Sequence, residues 1–413
     1  MARKTPEMNP RSPRVLVVAP FTHQNGHFVT LPRDLACALA ITGATVTLLH
    51  PRPFRTELDW MGASVNRLCL RDQLGKSPKW WQELWARLAN SPVNQCLAWM
   101  IWKLRAKDYD LVLWTDFQEQ SNIWPLQFAR MLGLYRHRTA FIEHYGPDQF
   151  VQSTKWRVAS VDLSRLRLAR LMMFVFSRAL RAQWQACLGH RGCVKYVLHG
   201  VWPRPLPDSK RVQARKTMGI SSQTRVLLVF GVQAVNRKHL DTLLEAVRGL
   251  VPEKPLLMIF AGATLGKVLH PFAGWQGENV EVHIVDRFID DMQVEAYFSV
   301  ADAVWAYYRD FSGASGVLLQ AMGYGRLTIS SSEGEVGTLT REFALGLLPQ
   351  SDRIEHLRHT LNTFVTLPRE RQLAWEQDIA TTARRFSWSA TAQQIMAELG
   401  FASTISSASV TSI

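Results

Sequence analysis

Two stretches in the second half of the chain combine residues suited to gripping a negatively charged group. Asn236, Arg237 and Lys238 stand at the head of a segment whose Leu240, Leu243, Leu244 and Val247 recur at helical spacing. Cations beside free helix N-terminal amides favour an anion, whereas an unliganded Arg-Lys pair there opposes the helix dipole. An ordinary basic helix start is the competing reading. Ser312, Gly313, Ala314, Ser315 and Gly316 precede an apolar helical run over residues 317–322, which includes Gln320. Small residues let a backbone approach a phosphate closely, and the two hydroxyls add donors. A serine cap on a tight turn uses the same residues. In the first half, Glu143 and His144 close the apolar stretch 139–143. A histidine at such a strand end can orient a hydroxyl or assist a proton transfer, or be a hydrogen-bonded structural residue.

These residues need a scaffold, and the hydrophobic pattern supplies one. Residues 15–19 read as a strand, followed by a loop with Asn25, Gly26 and His27. A helix with Leu31, Leu35 and Leu39 on one face comes next, then a second strand at 45–50. Further strands are expected at 111–114, 139–143 and 172–177. The pattern restarts at 225–230 and continues with strands at 256–260, 282–285, 303–307 and 327–330. The reading is α/β, with two Rossmann-like doubly wound domains facing across a cleft at the carboxyl ends of their strands. The expected divisions are 1–200, 201–385, a C-terminal helix within 386–401 crossing back to the first domain, and a disordered tail at 402–413. The joint lies near Pro203, Pro205 and Pro207, which cannot continue regular structure.

Composition narrows the class. The chain has 413 residues, 47% hydrophobic and 20% charged, which fits a globular protein of two or three domains. Its five cysteines (Cys37, Cys69, Cys96, Cys187 and Cys193) show no metal-ligand spacing, so no metal site is expected and a reducing, cytoplasmic setting fits. The apolar stretch after the basic N-terminus is too short for an export signal, and no apolar run is long enough to span a bilayer. The net charge of +14 is confined to one half. Residues 1–200 hold 27 Lys and Arg against 13 Asp and Glu, whereas residues 201–413 hold 21 of each. A one-sided field of this kind suits an anionic surface. Residues 79–105 mix Trp, Lys, Arg and apolar positions, the composition of interfacial helices, and residues 165–181 are rich in Arg and apolar residues, so contact with an anionic membrane surface is expected at both. Helices that simply pack on a sheet share the pattern. No nucleic-acid motif accompanies the charge, so no nucleic-acid partner is expected.

The order of landmarks resembles a GT-B glycosyltransferase, most of all glycosyltransferase family 4. The segments that carry the likeness are NGHFVTLPRDLACAL, VLHGVWPRP, RVLLVFGVQAVNRKHLDTLLEA, ADAVWAYYRDFSGASGVLLQAMGYGRLTISS, LGLLPQSDRIEHL and FSWSATAQQIMAEL, spanning roughly residues 14–400. The resemblance implies transfer of a sugar, with retention and without metal, from a nucleotide-diphosphate sugar to a glycan or lipid-linked acceptor in envelope or exopolysaccharide synthesis. The nucleotide-sugar is a co-substrate and no cofactor is implied. Arg237, Lys238, Ser312, Gly313, Ala314, Ser315, Gly316 and Gln320 take donor-binding positions. His144 matches a family histidine near the reacting sugar, and Asn25, Gly26 and His27 fall on the acceptor side. The chain also departs from the family. Where the family has two glutamates eight positions apart, it has Ser312 and Gln320, and Val232 and Gln233 follow Gly231 where the family has an arginine. A non-catalytic GT-B protein that binds a glycan or a protein partner is the alternative reading.

Overall fold

The computed structural model describes residues 12–21, 27–54, 58–74, 79, 95–96, 100, 109–115, 138–144, 146, 172–188, 193–233, 238–264, 269–275 and 277–401. The chain divides into two compact units. One is Met1–Leu198 with Trp388–Ile413, the other His199–Ser387.

The first unit is built on a seven-stranded sheet, ordered β3-β2-β1-β4-β5-β6-β7, in which every pairing is parallel. Its strands are β1 (Arg14–Val18), β2 (Thr45–His50), β3 (Val65–Cys69), β4 (Leu111–Thr115), β5 (Thr139–Glu143), β6 (Met172–Val175) and β7 (Cys193–Tyr196). Strands β4 and β5 are buried along their whole length, as parallel strands covered on both faces must be. The helices are α1 (His27–Ile41), the short α2 (Leu70–Leu74) and α3 (Arg178–Leu188). Leu31, Leu35 and Leu39 of α1 are all buried, so the helical stripe faces the core.

The second unit carries a six-stranded parallel sheet, ordered β10-β9-β8-β11-β12-β13. Its strands are β8 (Arg225–Phe230), β9 (Leu256–Ala261), β10 (Val280–Val285), β11 (Ala303–Ala306), β12 (Leu327–Ser330) and β13 (Gly346–Leu347). Helix α4 (Asp208–Thr217) precedes them, and between and after them run α5 (Leu240–Arg248), α6 (Asp291–Val300), α7 (Gly316–Gly323), α8 (Gly334–Glu342), α9 (Ile354–Thr366) and α10 (Arg369–Arg385). The order is the doubly wound 3-2-1-4-5-6 pattern. It reverses between β8 and β11, and ligands settle outside the carboxyl ends of strands at such a reversal.

At the opposite, amino-terminal edge of this sheet lies a buried ionic cluster. Asp302, just before β11, receives Arg215 Nη2 at 2.5 Å, Arg369 Nη1 at 2.9 Å and the Val226 N–H at 2.9 Å. Glu376 of α10 accepts both a bidentate pair from Arg211 Nη2 (2.6 and 2.7 Å) and Arg326 Nη1 at 3.2 Å. The cluster ties α4, β8, β11, β12 and α10 together.

The last helix, α11 (Trp388–Glu398), belongs to the first unit. It packs on α1, and Thr391 Oγ1 donates to the Leu198 carbonyl at 2.8 Å. Gln394 accepts from Leu198 N and donates to the Tyr196 carbonyl, both at 3.3 Å. Lys195 pairs with Glu398 at 3.0 Å, and Arg138 donates to the Leu399 carbonyl at 2.6 Å.

The described part of the stretch 165–181 begins at Met172. It forms β6, whose Phe174 and Val175 are fully buried in the sheet, and the start of α3. Strand pairing takes up its apolar residues. Most of residues 79–105, and the tail at 402–413, lie outside the described residues. Among those described, no helix is long and apolar enough to cross a membrane.

Candidate functional site

The turn after β8 brings a cation and a helix start together at the second unit's carboxyl edge. Gly231 has φ +85°, a left-handed conformation that suits glycine. A Cβ there would lie 3.8 Å from Lys238 Nζ and 3.7 Å from Val317 Cγ2. The Lys238 ammonium and the first turn of α7 therefore meet at this glycine, at the reversal point of the sheet. Gly262, after β9, closes the turn from the other side. Its Cβ would fall 2.1 Å from the Gly231 carbonyl oxygen, so any larger residue would displace the backbone.

Lys238 is 4% exposed and donates from Nζ to the carbonyl of Phe230, the last residue of β8. Its own carbonyl accepts the Trp305 indole N–H at 2.9 Å. His239 follows with φ +48°, and α5 begins only at Leu240, so Lys238 precedes the helix rather than opening it. The His239 ring meets Tyr307 edge-on at 5.0 Å, and its Nδ1 lies 3.1 Å from Arg309 Nη2. An arginine can only donate, so Nδ1 accepts and the imidazole is neutral. Burial, and then the charge of Arg309, hold the His239 pKa below its usual value.

The small-residue turn is the second component. Ser315 caps α7: its Oγ accepts from Leu318 N at 3.2 Å and donates to the Tyr308 hydroxyl at 2.8 Å. The serine is thus the helix cap, one of the two roles expected of it. Gly313 is buried, Ser312 and Ala314 are half-buried, and Gly316 is exposed, with open space where a Cβ would stand. Gln320 is exposed, one turn further along α7 on the Gly316 side. Val232 is 54% exposed, whereas Gln233 turns inward and donates to the Val229 carbonyl at 2.9 Å. Asn236 and Arg237 lie outside the described residues.

In the first unit, His144 follows β5 directly, half-buried, with its ring centroid 5.1 Å from that of Phe176. The buried Glu143 carboxylate accepts the His144 backbone N–H at 2.9 Å and so fixes the chain at the strand end. His27 is the first residue of α1, and Asn25 and Gly26 lie outside the described residues. Among the described residues, no group of three His, Cys, Asp or Glu could hold a metal ion.

Sequence reasoning missed the supports of Lys238. Trp305, Tyr307 and Arg309 occupy alternate positions from β11 onward, a spacing that does not by itself tell an anchor from a core residue. Asp352, which accepts from the Tyr307 hydroxyl at 2.6 Å, carried no local signal.

Two parallel sheets with interleaved helices, the second in 3-2-1-4-5-6 order, define the chain as a GT-B fold. Solved structures of glycosyltransferases share it. Sucrose-phosphate synthase from Thermosynechococcus elongatus is 17% identical over 95% of this chain and 100% of its own, with a TM-score of 0.66. HepE of Anabaena, solved in complex with UDP and glucose, is 17% identical over 94% of this chain and 99% of its own, with a TM-score of 0.65. WaaG, a glycosyltransferase involved in lipopolysaccharide biosynthesis, is 14% identical over 92% of this chain and 98% of its own, with a TM-score of 0.61. No protein-family model and no curated protein matches the chain.

Proposed function

We propose that the chain is a glycosyltransferase, resembling family 4, that binds a nucleotide-diphosphate sugar on its second unit. The carrying observation is the meeting of Lys238 Nζ with the start of α7 across Gly231. A buried ammonium, free helix N-terminal amides and a side-chain-free surface at Gly316 together favour a diphosphate. HepE, which shares the fold, was solved with UDP-glucose, and this supports a donor of that class.

In this reading Lys238, Arg237 and the N–H groups at 313–316 stabilise charge on the leaving diphosphate as the sugar–oxygen bond breaks. Metal is then dispensable. Gln320 hydrogen-bonds the ribose as a neutral group, and Ser312 contacts the transferred sugar. His144, with Asn25, Gly26 and His27, serves a glycan or lipid-linked acceptor on the first unit, and transfer proceeds with retention by same-face attack. The basic excess of residues 1–200 favours a cytoplasmic protein peripheral to an anionic membrane. Liposome flotation with anionic and neutral lipid, at low and high salt, tests that part, and equal recovery on both lipids would count against it.

The test of the central reading is nucleotide release from a panel of UDP-, GDP- and ADP-sugars, with Lys238→Ala as comparison. If no donor binds or turns over in the unaltered protein, the transferase reading fails. Ser312 and Gln320 in place of two carboxylates favour one second reading, a GT-B protein that binds a glycan or protein without catalysis. Donor binding without turnover, across acceptors, would support it.

A further inference from the structure

Three alternate residues from β11 onward converge on Lys238 and His239. Trp305, fully buried, donates its indole N–H to the Lys238 carbonyl at 2.9 Å. Its ring stacks on Tyr307 at 5.0 Å and 15°, and the Tyr307 hydroxyl donates to Asp352 Oδ1 at 2.6 Å. Arg309 bonds His239 Nδ1 and pairs with Asp241 at 3.6 Å.

His239 is left-handed at φ +48°, a conformation that costs a non-glycine residue energy and persists only where the surroundings over-determine it. It separates Lys238 from α5, and the Lys238 carbonyl accepts the Trp305 indole N–H. At the far end of the same residue Nζ donates to the Phe230 carbonyl. The Trp305 bond at the backbone and the Phe230 bond at Nζ together set where the ammonium stands beside Gly231 and Val317.

We propose that Trp305 is a positioning residue for nucleoside diphosphate binding: it touches no ligand and holds Lys238 so that the ammonium stays at the anion site. Tyr307, locked by Asp352, keeps the Trp305 ring in place. This inference rests on the donor-site reading above.

The experiment measures affinities of UDP, GDP and ADP, and of the parent nucleosides by competition, on the full chain. Trp305→Phe keeps a ring and removes the indole N–H. The expected result is a loss of about 3- to 10-fold for the diphosphate that binds, the worth of one buried hydrogen bond, with the nucleoside unchanged. A defect in general packing would weaken both. Adding Trp305→Phe to Lys238→Ala should change nothing further, because the two act as one unit. Equal losses for diphosphate and nucleoside, additive losses in the double variant, or no effect of Trp305→Phe where Lys238→Ala weakens binding would each overturn the positioning role alone. Where Trp305→Phe folds poorly, Tyr307→Phe, which removes the hydroxyl held by Asp352, is read in the same way. An unaltered protein that binds none of the three diphosphates overturns the donor-site reading, and the role of Trp305 with it.

Discussion

Arg215 and Asp302 meet at 2.5 Å inside the second unit, with the carboxylate fully enclosed. Burial alone would raise the Asp302 pKa, but Arg215, Arg211, the Val226 N–H and Arg369 hold it below the usual carboxylate range. A carboxyl whose folded pKa is depressed contributes its full stability above the unfolded value, near ~4, and loses it as pH falls through the folded one. Acid unfolding of this unit should therefore steepen below about pH 4. Asp302→Asn strands several arginines at once and should cost about 3–5 kcal/mol. Urea midpoints at pH 7, pH 4 and about pH 3 test both statements. A variant as stable as the parent at pH 7 would show that the cluster is not held by this carboxylate.

His239 also loses its contribution as pH falls, but in a higher pH range. Its neutral ring accepts from Arg309, and its folded pKa lies below that of the unfolded chain. Its contribution is thus complete above an unfolded value near ~6.5 and declines as pH drops below it. His239→Asn keeps an acceptor and tolerates the left-handed backbone. The melting temperature of the parent should fall more between pH 7 and pH 5 than that of the variant, and parallel curves would exclude His239 as the source.

Gly316 offers a way to separate folding from ligand contact. Space is open around its Cβ position, so Gly316→Ala should leave the melting temperature unchanged or slightly raised. If a diphosphate lies against this backbone, the added methyl weakens its binding by roughly 10-fold or more. A calorimetric titration with the donor nucleotide reads this directly, and unchanged affinity would move the ligand away from α7.

Ser315→Ala removes both the cap on α7 and the bond to Tyr308. The expected cost is about 1 kcal/mol in chemical denaturation, largely restored by Ser315→Asp or Ser315→Asn. Since an aspartate would repel a diphosphate, Ser315→Asp should recover stability and not donor binding. Recovery of both would mean that the cap faces no anion.

Much of this fold was legible because parallel strands buried on both faces read as short apolar runs. Strands β2, β5, β8 and β12 match the sequence expectation at both ends. Strand β3 was missed because its exposed Asn66 and Arg67 break the run at the edge of the sheet. Strand β13 has two residues, too few to show a period. Lys238 and Ser315 could be singled out as candidates because a cation beside a helix start and a serine before glycine each have a local chemical meaning. Trp305 and Tyr307 could not, since an aromatic on a buried strand looks the same whether it fills space or anchors a neighbour. Asp352 is 45 residues from Tyr307 and meets it only in the folded chain.

Helix α11 gives the first unit two stretches of chain separated by the whole of the second. Synthesis on the ribosome is vectorial, so α1 waits uncovered until residues 388–398 emerge. The second unit is complete in sequence before then, and nascent chains arrested with Ser387 outside the ribosomal tunnel and residues 388–398 still inside it should show protease protection of that unit ahead of the first. Protection in that order would make biosynthetic maturation the reverse of the order of translation.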